Sequence, residues 1–287
     1  MTLSVAFALA AALSSAVNLM TQHSASLGVP KGTKGWRLVA YLFRQPPWLV
    51  GWIAAAGAFV FQAVALHHGQ MSVVQPVLVT ELVFVLALRR VWIRQDVSRT
   101  AWAAALVVCA ALAAFLWAAE PTGGHSSPNA AQWLSALPVF GGAVALLAAL
   151  GTRGSPARRA ALLAAAAGLA WALTATFLKT ATETLATHGI SGMLTHWPVY
   201  ALVAAVIIGM LLHQAALHVG PLSMSQPVLA IVNPLASIAL SVWLFDERFT
   251  DSPARIAISF LAMAVLAVAV IALSRAAPED LNPTAPA

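Results

Sequence analysis

Charged residues are scarce in this sequence. Only 8% of its 287 residues are charged, whereas 61% are hydrophobic. An ordinary soluble domain has roughly a quarter of its residues charged, because its surface faces water. The composition therefore excludes a soluble globule and indicates an integral membrane protein.

Cysteines and the common catalytic motifs are also lacking. The single cysteine, Cys109, lies inside an apolar run, which excludes an intramolecular disulfide and a cysteine metal cluster. The sequence has no metalloprotease, phosphate-loop or dinucleotide motif, so we expect no cofactor. A GxSG string at 189–192 matches the short pattern of intramembrane serine proteases, with His196 and His213 downstream. Its serine, Ser191, falls in a predicted loop without a suitable histidine base in the last two spans, so we do not expect an enzyme.

The basic residues do not indicate nucleic-acid binding. The chain has 15 Lys and Arg against 9 Asp and Glu, a formal net charge of +6. These basic residues are confined to a few connections between apolar runs, as anionic lipid and the positive-inside rule require. We therefore expect the lipid bilayer as a partner and no nucleic acid.

Long apolar runs make up most of the chain. A transmembrane helix needs about 20 residues, and a hydropathy window places nine such spans. The predicted fold is an all-α integral membrane protein with about nine transmembrane helices. The predicted spans are 2–20, 47–66, 71–93, 101–119, 133–151, 158–179, 195–217, 222–244 and 254–274.

The distribution of Lys and Arg predicts the orientation. Twelve of them lie in three alternate connections and at the start of the tail, against three in the other connections. The amino terminus is therefore expected outside the cell (inner) membrane and the carboxyl terminus in the cytoplasm. The twelve are Lys31, Lys34, Arg37, Arg44, Arg89, Arg90, Arg94, Arg99, Arg153, Arg158, Arg159 and Arg275, and the three are Lys179, Arg248 and Arg255.

An internal repeat at an offset of 151 residues is the most informative feature. The stretch ALHHGQMSVVQPVL (65–78) aligns with ALHVGPLSMSQPVL (216–229), and residues 65–93 match 216–244 at eleven of 29 positions. About three matches would be expected by chance in sequence of this composition. The similarity indicates a duplication.

The spacing of the two copies predicts an inverted repeat. The matched second and seventh spans are five helices apart, an odd number, so the copies cross the membrane in opposite directions. Inverted repeats of this kind are typical of transporters, with the site between the repeats. The predicted units are a first repeat (1–119), a linking helix with its loops (120–157), a second repeat (158–275) and a cytoplasmic tail (276–287).

Two stretches resemble a known superfamily. AGLAWALTATFLK (167–179) resembles the opening helix of an EamA-type repeat in the drug/metabolite transporter (DMT) superfamily, and NPLASIALSVWLFDERFT (233–250) resembles its proline helix with an acidic end, Pro234 and Glu247 occupying the motif positions. The nine-helix layout, the basic first loop and the QPVL element also resemble the NIPA-type magnesium transporters and their bacterial relatives. The first half departs from the pattern, because Gln95 and Asp96 stand where the second half has Asp246 and Glu247. The resemblance implies a membrane transporter and leaves its substrate open.

Glu81 is the most prominent candidate for function. It is the one clear carboxylate near the middle of a predicted span, where an ionised group is costly and usually faces a cavity or a partner. Its apolar neighbours, Val79, Leu82 and Val83, disfavour the charged form. We therefore expect Glu81 to couple transport to protons, or to bind the metal in a cation carrier. The alternative is a protonated side chain that only bonds neighbouring helices.

Prolines and amides near the starts of two spans are further candidates. Gln75 with Pro76, and Gln226 with Pro227, occupy equivalent points of the repeat, where each proline removes a helix hydrogen bond and frees a carbonyl. The alternative is that each proline lies in a first helical turn, where it costs nothing. In the middle of the eighth span, Asn233 and Pro234 predict a kink.

The remaining polar or aromatic side chains within spans complete the predicted pathway. They suit either a polar substrate or helix packing. They are Asn18, Gln62, Trp171, His213 and Gln214.

Four groups near span ends are assigned no transport role. His67 and His218 are expected to cap helices or lie at the interface. Asp246 and Glu247 beside Arg248 are interpreted as a solvated charge cluster, with gating as the alternative.

The sequence thus predicts a carrier for a small solute or ion, most simply a proton-coupled metabolite or drug carrier. A magnesium or other divalent-cation transporter is the main alternative, although one carboxylate is few for such an ion. A non-transporting scaffold is a lesser alternative, and a homodimer remains open.

Overall fold

The computed structural model describes residues 2–27, 45–92, 94, 96–125, 127–220 and 222–276. The basic first connection, Gln95 and the carboxyl-terminal tail lie outside these ranges. The predicted orientation, which depends on them, remains a prediction.

The described residues form almost only helices. Among them, nine helical spans are long and apolar enough to cross a membrane, which confirms the predicted all-α membrane class. The helices are α1 (Thr2–Leu27), α2 (Pro46–His68), α3 (Met71–Leu78), α4 (Glu81–Val91), α5 (Arg99–Ala119), α6 (Ala130–Leu150), α7 (Pro156–Thr195), α8 (Trp197–Val219), α9 (Leu222–Phe245) and α10 (Pro253–Ala276). Two short strands, β1 (Thr122–Gly123) and β2 (Glu247–Arg248), pair antiparallel.

Local sequence explains where several helices begin. The Ser98 hydroxyl accepts a hydrogen bond from the Ala101 amide at the start of α5. Asn129 and Gln132 form a reciprocal capping box at the start of α6. These side chains satisfy amide groups that have no partner within the first helical turn.

The sixth span is longer than predicted. We expected it to end at Lys179, but α7 continues to Thr195 over 40 residues. These 40 residues are two helical segments that meet at Gly189, and the first segment is about 50 Å long at a rise of 1.5 Å per residue. The helix changes direction at Gly189, whose φ is 69°, a conformation that favours glycine. Ser191 therefore lies in a helix, and its predicted placement in a loop was wrong.

The helices of the two halves pack in a similar order. In the first half, α1 packs against α2 and against α3 and α4 of the third span. In the second half, α7 packs against α8 and α9. The fourth and ninth spans, α5 and α10, pack against each other.

Hydrogen bonds between connections establish two antiparallel helix pairs. The Met71 amide, at the start of α3, binds Glu247, two residues after the end of α9. The Thr250 amide, just before α10, donates to the carbonyl of Ala119, the last residue of α5. Since α3 packs along α9 and α5 along α10, each pair runs in opposite directions. We call the side of the molecule where these connections meet the Glu247 face.

Candidate functional site

The third span is interrupted beside Glu81. Helix α3 ends at Leu78, a turn covers Val79 and Thr80, and α4 begins at Glu81. The amides of Val79 and Thr80 donate to the carbonyls three residues earlier, those of Pro76 and Val77, instead of four. The predicted single helix over 71–93 is therefore two helices joined by a tighter turn.

The Glu81 side chain lies at this interruption. It is half-buried, and it makes no hydrogen bond or ion pair with any residue in the described ranges. Ten residues separate it from Met71 at the Glu247 face, which is about 15 Å along a helix and half the hydrocarbon thickness. A position of Glu81 near the middle of the membrane stays a prediction.

Both repeat-related prolines lie inside helices. Pro76 is the sixth residue of α3, and Pro227 the sixth residue of α9. The alternative that they lie in first helical turns was wrong. Gln75 is 2% exposed and its Nε2 has no hydrogen-bond partner among the described residues, whereas Gln226 is half-buried.

The Asn233–Pro234 pair does not interrupt its helix. Helix α9 continues from Leu222 to Phe245 through Pro234, unlike the third span. The Asn233 amide oxygen accepts a hydrogen bond from the Ser237 hydroxyl at 3.4 Å. A Cβ added to Gly168 would lie 3.2 Å from the Asn233 backbone nitrogen, so this point is a close contact between α7 and α9.

Asn18 and Trp171 lie in helix packing contacts. The Asn18 Oδ1 accepts a hydrogen bond of 2.6 Å from Gln22 of the same helix and faces Gly51 of α2. A Cβ added to Gly209 of α8 would lie 3.3 Å from the Trp171 indole. For these two residues, the contacts favour packing over substrate binding.

The other predicted pathway residues differ in burial. Gln62 and His213 are repeat counterparts and are both half-buried. The Nε2 atom of His213 is buried without a partner among the residues that the structure describes. Gln214 is exposed on the outside of α8.

A buried ion pair at the Glu247 face was not predicted. Glu247 Oε1 lies 2.8 Å from Lys179 Nζ, and the two side chains are 1% and 10% exposed. Glu247 also accepts hydrogen bonds from the Met71 amide, the Ser72 amide and the Ser72 hydroxyl, at 2.8, 3.0 and 2.6 Å. Its interpretation as a solvated charge was therefore wrong, whereas Asp246 is exposed as expected. We call Glu247, Lys179, Ser72 and the Met71 amide the Glu247 cluster.

The backbone around Glu247 directs its side chain inward. Asp246 has a φ of 52°, a left-handed conformation that reverses the chain after α9. Its carboxylate is held by His125 at 2.7 Å and by Gln132 at 3.1 Å. Gly124, with a φ of 93°, leaves space that a Cβ would occupy 3.1 Å from the Glu247 Cγ. The Glu247 carboxylate can thus reach the start of α3.

The surroundings keep Glu247 ionised. Burial by itself raises the pKa of this carboxyl, but the Lys179 ammonium and the hydrogen bonds from Ser72 outweigh burial and hold the pKa below its ordinary value. A carboxylate at a helix amino terminus is further stabilised by the helix dipole. Lys179 in turn lies 4.4 Å from the centre of the Phe245 ring, a favourable cation–π contact.

A cavity of about 320 Å³ adjoins the cluster. Lys179 and Glu183, one helical turn apart on α7, both line it, and Glu183 lies 3.3 Å from His67 of α2. The rest of the lining is mostly polar side chains and glycines: Leu66, His68, Gly69, Gln70, Gly123, Gly124 and His125. No group of three or more His, Cys, Asp or Glu side chains suited to hold a metal ion occurs in the described part of the chain.

Comparison with known proteins identifies one uncharacterized relative and no family. A protein of Corynebacterium glutamicum, described only as uncharacterized, is 29% identical over 276 residues, which cover 95% of each chain. No family model matches the chain. No solved structure matches it.

Proposed function

We propose that the chain is a membrane transporter of the DMT/EamA type that moves a small solute or ion by alternating access. The observation that carries the proposal is the internal repeat. Its matched third and eighth spans run antiparallel in the molecule, and so do the fourth and ninth spans. Antiparallel counterparts are what an inverted repeat requires, and such repeats are typical of secondary transporters.

The interrupted third span supports the same proposal. A tighter turn in the middle of a helix often marks a functional hinge. Here the interruption at Val79 and Thr80 is followed directly by Glu81, a carboxylate without a partner in the described ranges. We infer that Glu81 is the coupling residue of a proton-linked carrier for a metabolite or drug.

A magnesium carrier is the second candidate. Magnesium favours carboxylate, carbonyl and water oxygens in octahedral geometry. Glu81 would supply the one carboxylate, and the rest of the shell would have to come from carbonyl groups and retained water. No observation on the described residues favours this candidate over an organic solute.

Tracer uptake into proteoliposomes tests the transport proposal. The native chain is reconstituted, and accumulation is measured for a panel of amino acids, organic cations, sugars and magnesium, with and without an imposed proton gradient. We expect gradient-driven accumulation of at least one solute. If no panel member enters faster than into protein-free vesicles, a non-transporting role such as a scaffold replaces the proposal.

Glu81→Gln tests the coupling role within the same assay. The substitution keeps the size of the side chain and removes its ability to ionise. We expect gradient-driven accumulation to be lost while exchange between equilibrated compartments continues. Normal accumulation by this variant at every pH would make Glu81 a packing residue.

A further inference from the structure

The Glu247 cluster occurs at one end of the repeat only. The sequence counterparts of Glu247 and Lys179 in the first half are Asp96 and Gly28. Asp96 is 97% exposed and pairs with Arg90, so it does not reach the start of α9 as Glu247 reaches the start of α3. A contact that only preserved the shared fold would be expected in both halves.

The cluster connects three elements at the Glu247 face. Lys179 belongs to α7, Ser72 to α3, and Glu247 to the strand after α9, which pairs with β1 between α5 and α6. With these bonds in place, residues 71–77 are all buried. The cluster therefore closes the Glu247 face over the first half of the interrupted third span.

The interactions in the cluster suit a contact that opens and closes. A buried ion pair gains Coulomb energy but loses the hydration of both charges, and the two nearly cancel. Opening restores that hydration, because the adjoining cavity already reaches Lys179. Lys179 also has a second carboxylate, Glu183, one turn away on the same helix face. The closed and open states can thus be close in free energy, as a two-state element requires.

We propose that the Glu247 cluster is a gate, which closes the Glu247 face by fixing the start of the third span and opens that span to water when Glu247 separates from Lys179 and Ser72. The proposal rests on the transport function proposed above. Opening would connect the cavity with Gln75 and, six residues further along the span, with Glu81.

Thiol labelling tests the gate without requiring a known solute. In a Cys109→Ala background, Gln75→Cys is placed one turn below the cluster, and its reaction with a charged methanethiosulfonate is timed in lipid nanodiscs. The gate is released by Lys179→Met with Glu247→Leu, which replaces the ion pair by an apolar pair of similar size and removes the acceptor for Met71 and Ser72. We expect labelling of position 75 to become about tenfold faster or more, because the Met71 amide and the Ser72 amide and hydroxyl would then be buried without an acceptor in the closed state only.

The repeat supplies the matched control. Gln226→Cys is the counterpart of Gln75→Cys at the opposite face, and its labelling should not change with the same gate substitutions. A second variant, Lys179→Met with Glu247→Gln, keeps one acceptor and should give an intermediate labelling rate at position 75. If the leucine variant does not fold, this second variant tests the gate in its place.

Unchanged labelling of position 75 in a variant that remains monodisperse would overturn the gate, and so would equal acceleration at positions 75 and 226. Either outcome leaves the transport proposal standing, because tracer uptake is measured separately. If no tracer enters the vesicles but the gate substitutions still accelerate labelling of position 75, the gate stands as a conformational element and the transport proposal fails.

Discussion

The starts of the third and eighth spans are equivalent in sequence and different in structure. Both contain the pattern SxxQPVL. Residues 71–77 are entirely buried, whereas Met224 is 40% exposed and Gln226 half-buried. This difference in burial matches the positions of the two equivalent carboxylates. Glu247 binds the start of α3, whereas Asp96 is exposed beside Arg90. We therefore expect the copy at the Glu247 face to be held more firmly than its counterpart at the opposite face.

The largest expected difference is between two variants that each remove the cation of an ion pair, one at the Glu247 cluster and one at the exposed pair of the first half. Lys179→Ala leaves the Glu247 carboxylate buried without its cation, which we expect to cost about 3–5 kcal/mol of unfolding free energy. Arg90→Ala breaks the exposed pair with Asp96 and should cause little measurable change. Denaturation of both variants in the same detergent measures the difference. Equal losses of unfolding free energy in the two variants would show that the Glu247 cluster stabilises the fold no more than the exposed pair does.

Ser72→Ala should have a smaller effect. It removes one hydrogen bond to Glu247 and keeps the Met71 and Ser72 amides, so we expect a loss of about 1–3 kcal/mol. Ser259→Ala is the control, because the Ser259 hydroxyl bonds only to the carbonyl of Arg255 in its own helix. If the two variants unfold alike, the Ser72 hydroxyl contributes nothing to the cluster.

Acid should weaken the cluster over a defined range. The pKa of Glu247 lies below its ordinary value in the folded chain, so its contribution to stability is complete above the ordinary value and is lost as the pH falls through the lowered one. The difference in unfolding temperature between the native chain and Glu247→Gln should be constant from pH 8 to about 5 and shrink below about 4. His67, Glu183, His125 and Asp246 lie nearby and are present in both proteins, so the comparison cancels their effect. A difference that grows with acidity would contradict the assignment.

The sequence predicted the spans better than the site. Nine apolar runs are long enough to leave little choice of fold, and all nine are found as helical spans in the described residues. The interruption at Val79 and Thr80 was missed because neither residue is a glycine or a proline, and the backbone there changes by only one tighter turn.

Glu247 was wrongly interpreted as solvated because its neighbours in the sequence are not its neighbours in the structure. Asp246 and Arg248 suggest a solvated cluster, but the left-handed Asp246 turns the next side chain toward Lys179, which is 68 residues earlier. One signal was available. Lys179 follows an uncharged run from Ala160 to Leu178, so a buried lysine at the end of that helix needed a distant carboxylate.

Hydrogen exchange of the two equivalent helix starts tests the central comparison most directly. In nanodiscs, deuterium uptake is compared between peptides covering 71–78 and 222–229, in the native chain and in Lys179→Met with Glu247→Leu. We predict slower exchange at 71–78 than at 222–229 in the native chain, and acceleration of 71–78 alone in the variant. Equal exchange of the two segments in the native chain, or an unchanged rate at 71–78 in the variant, would contradict the account.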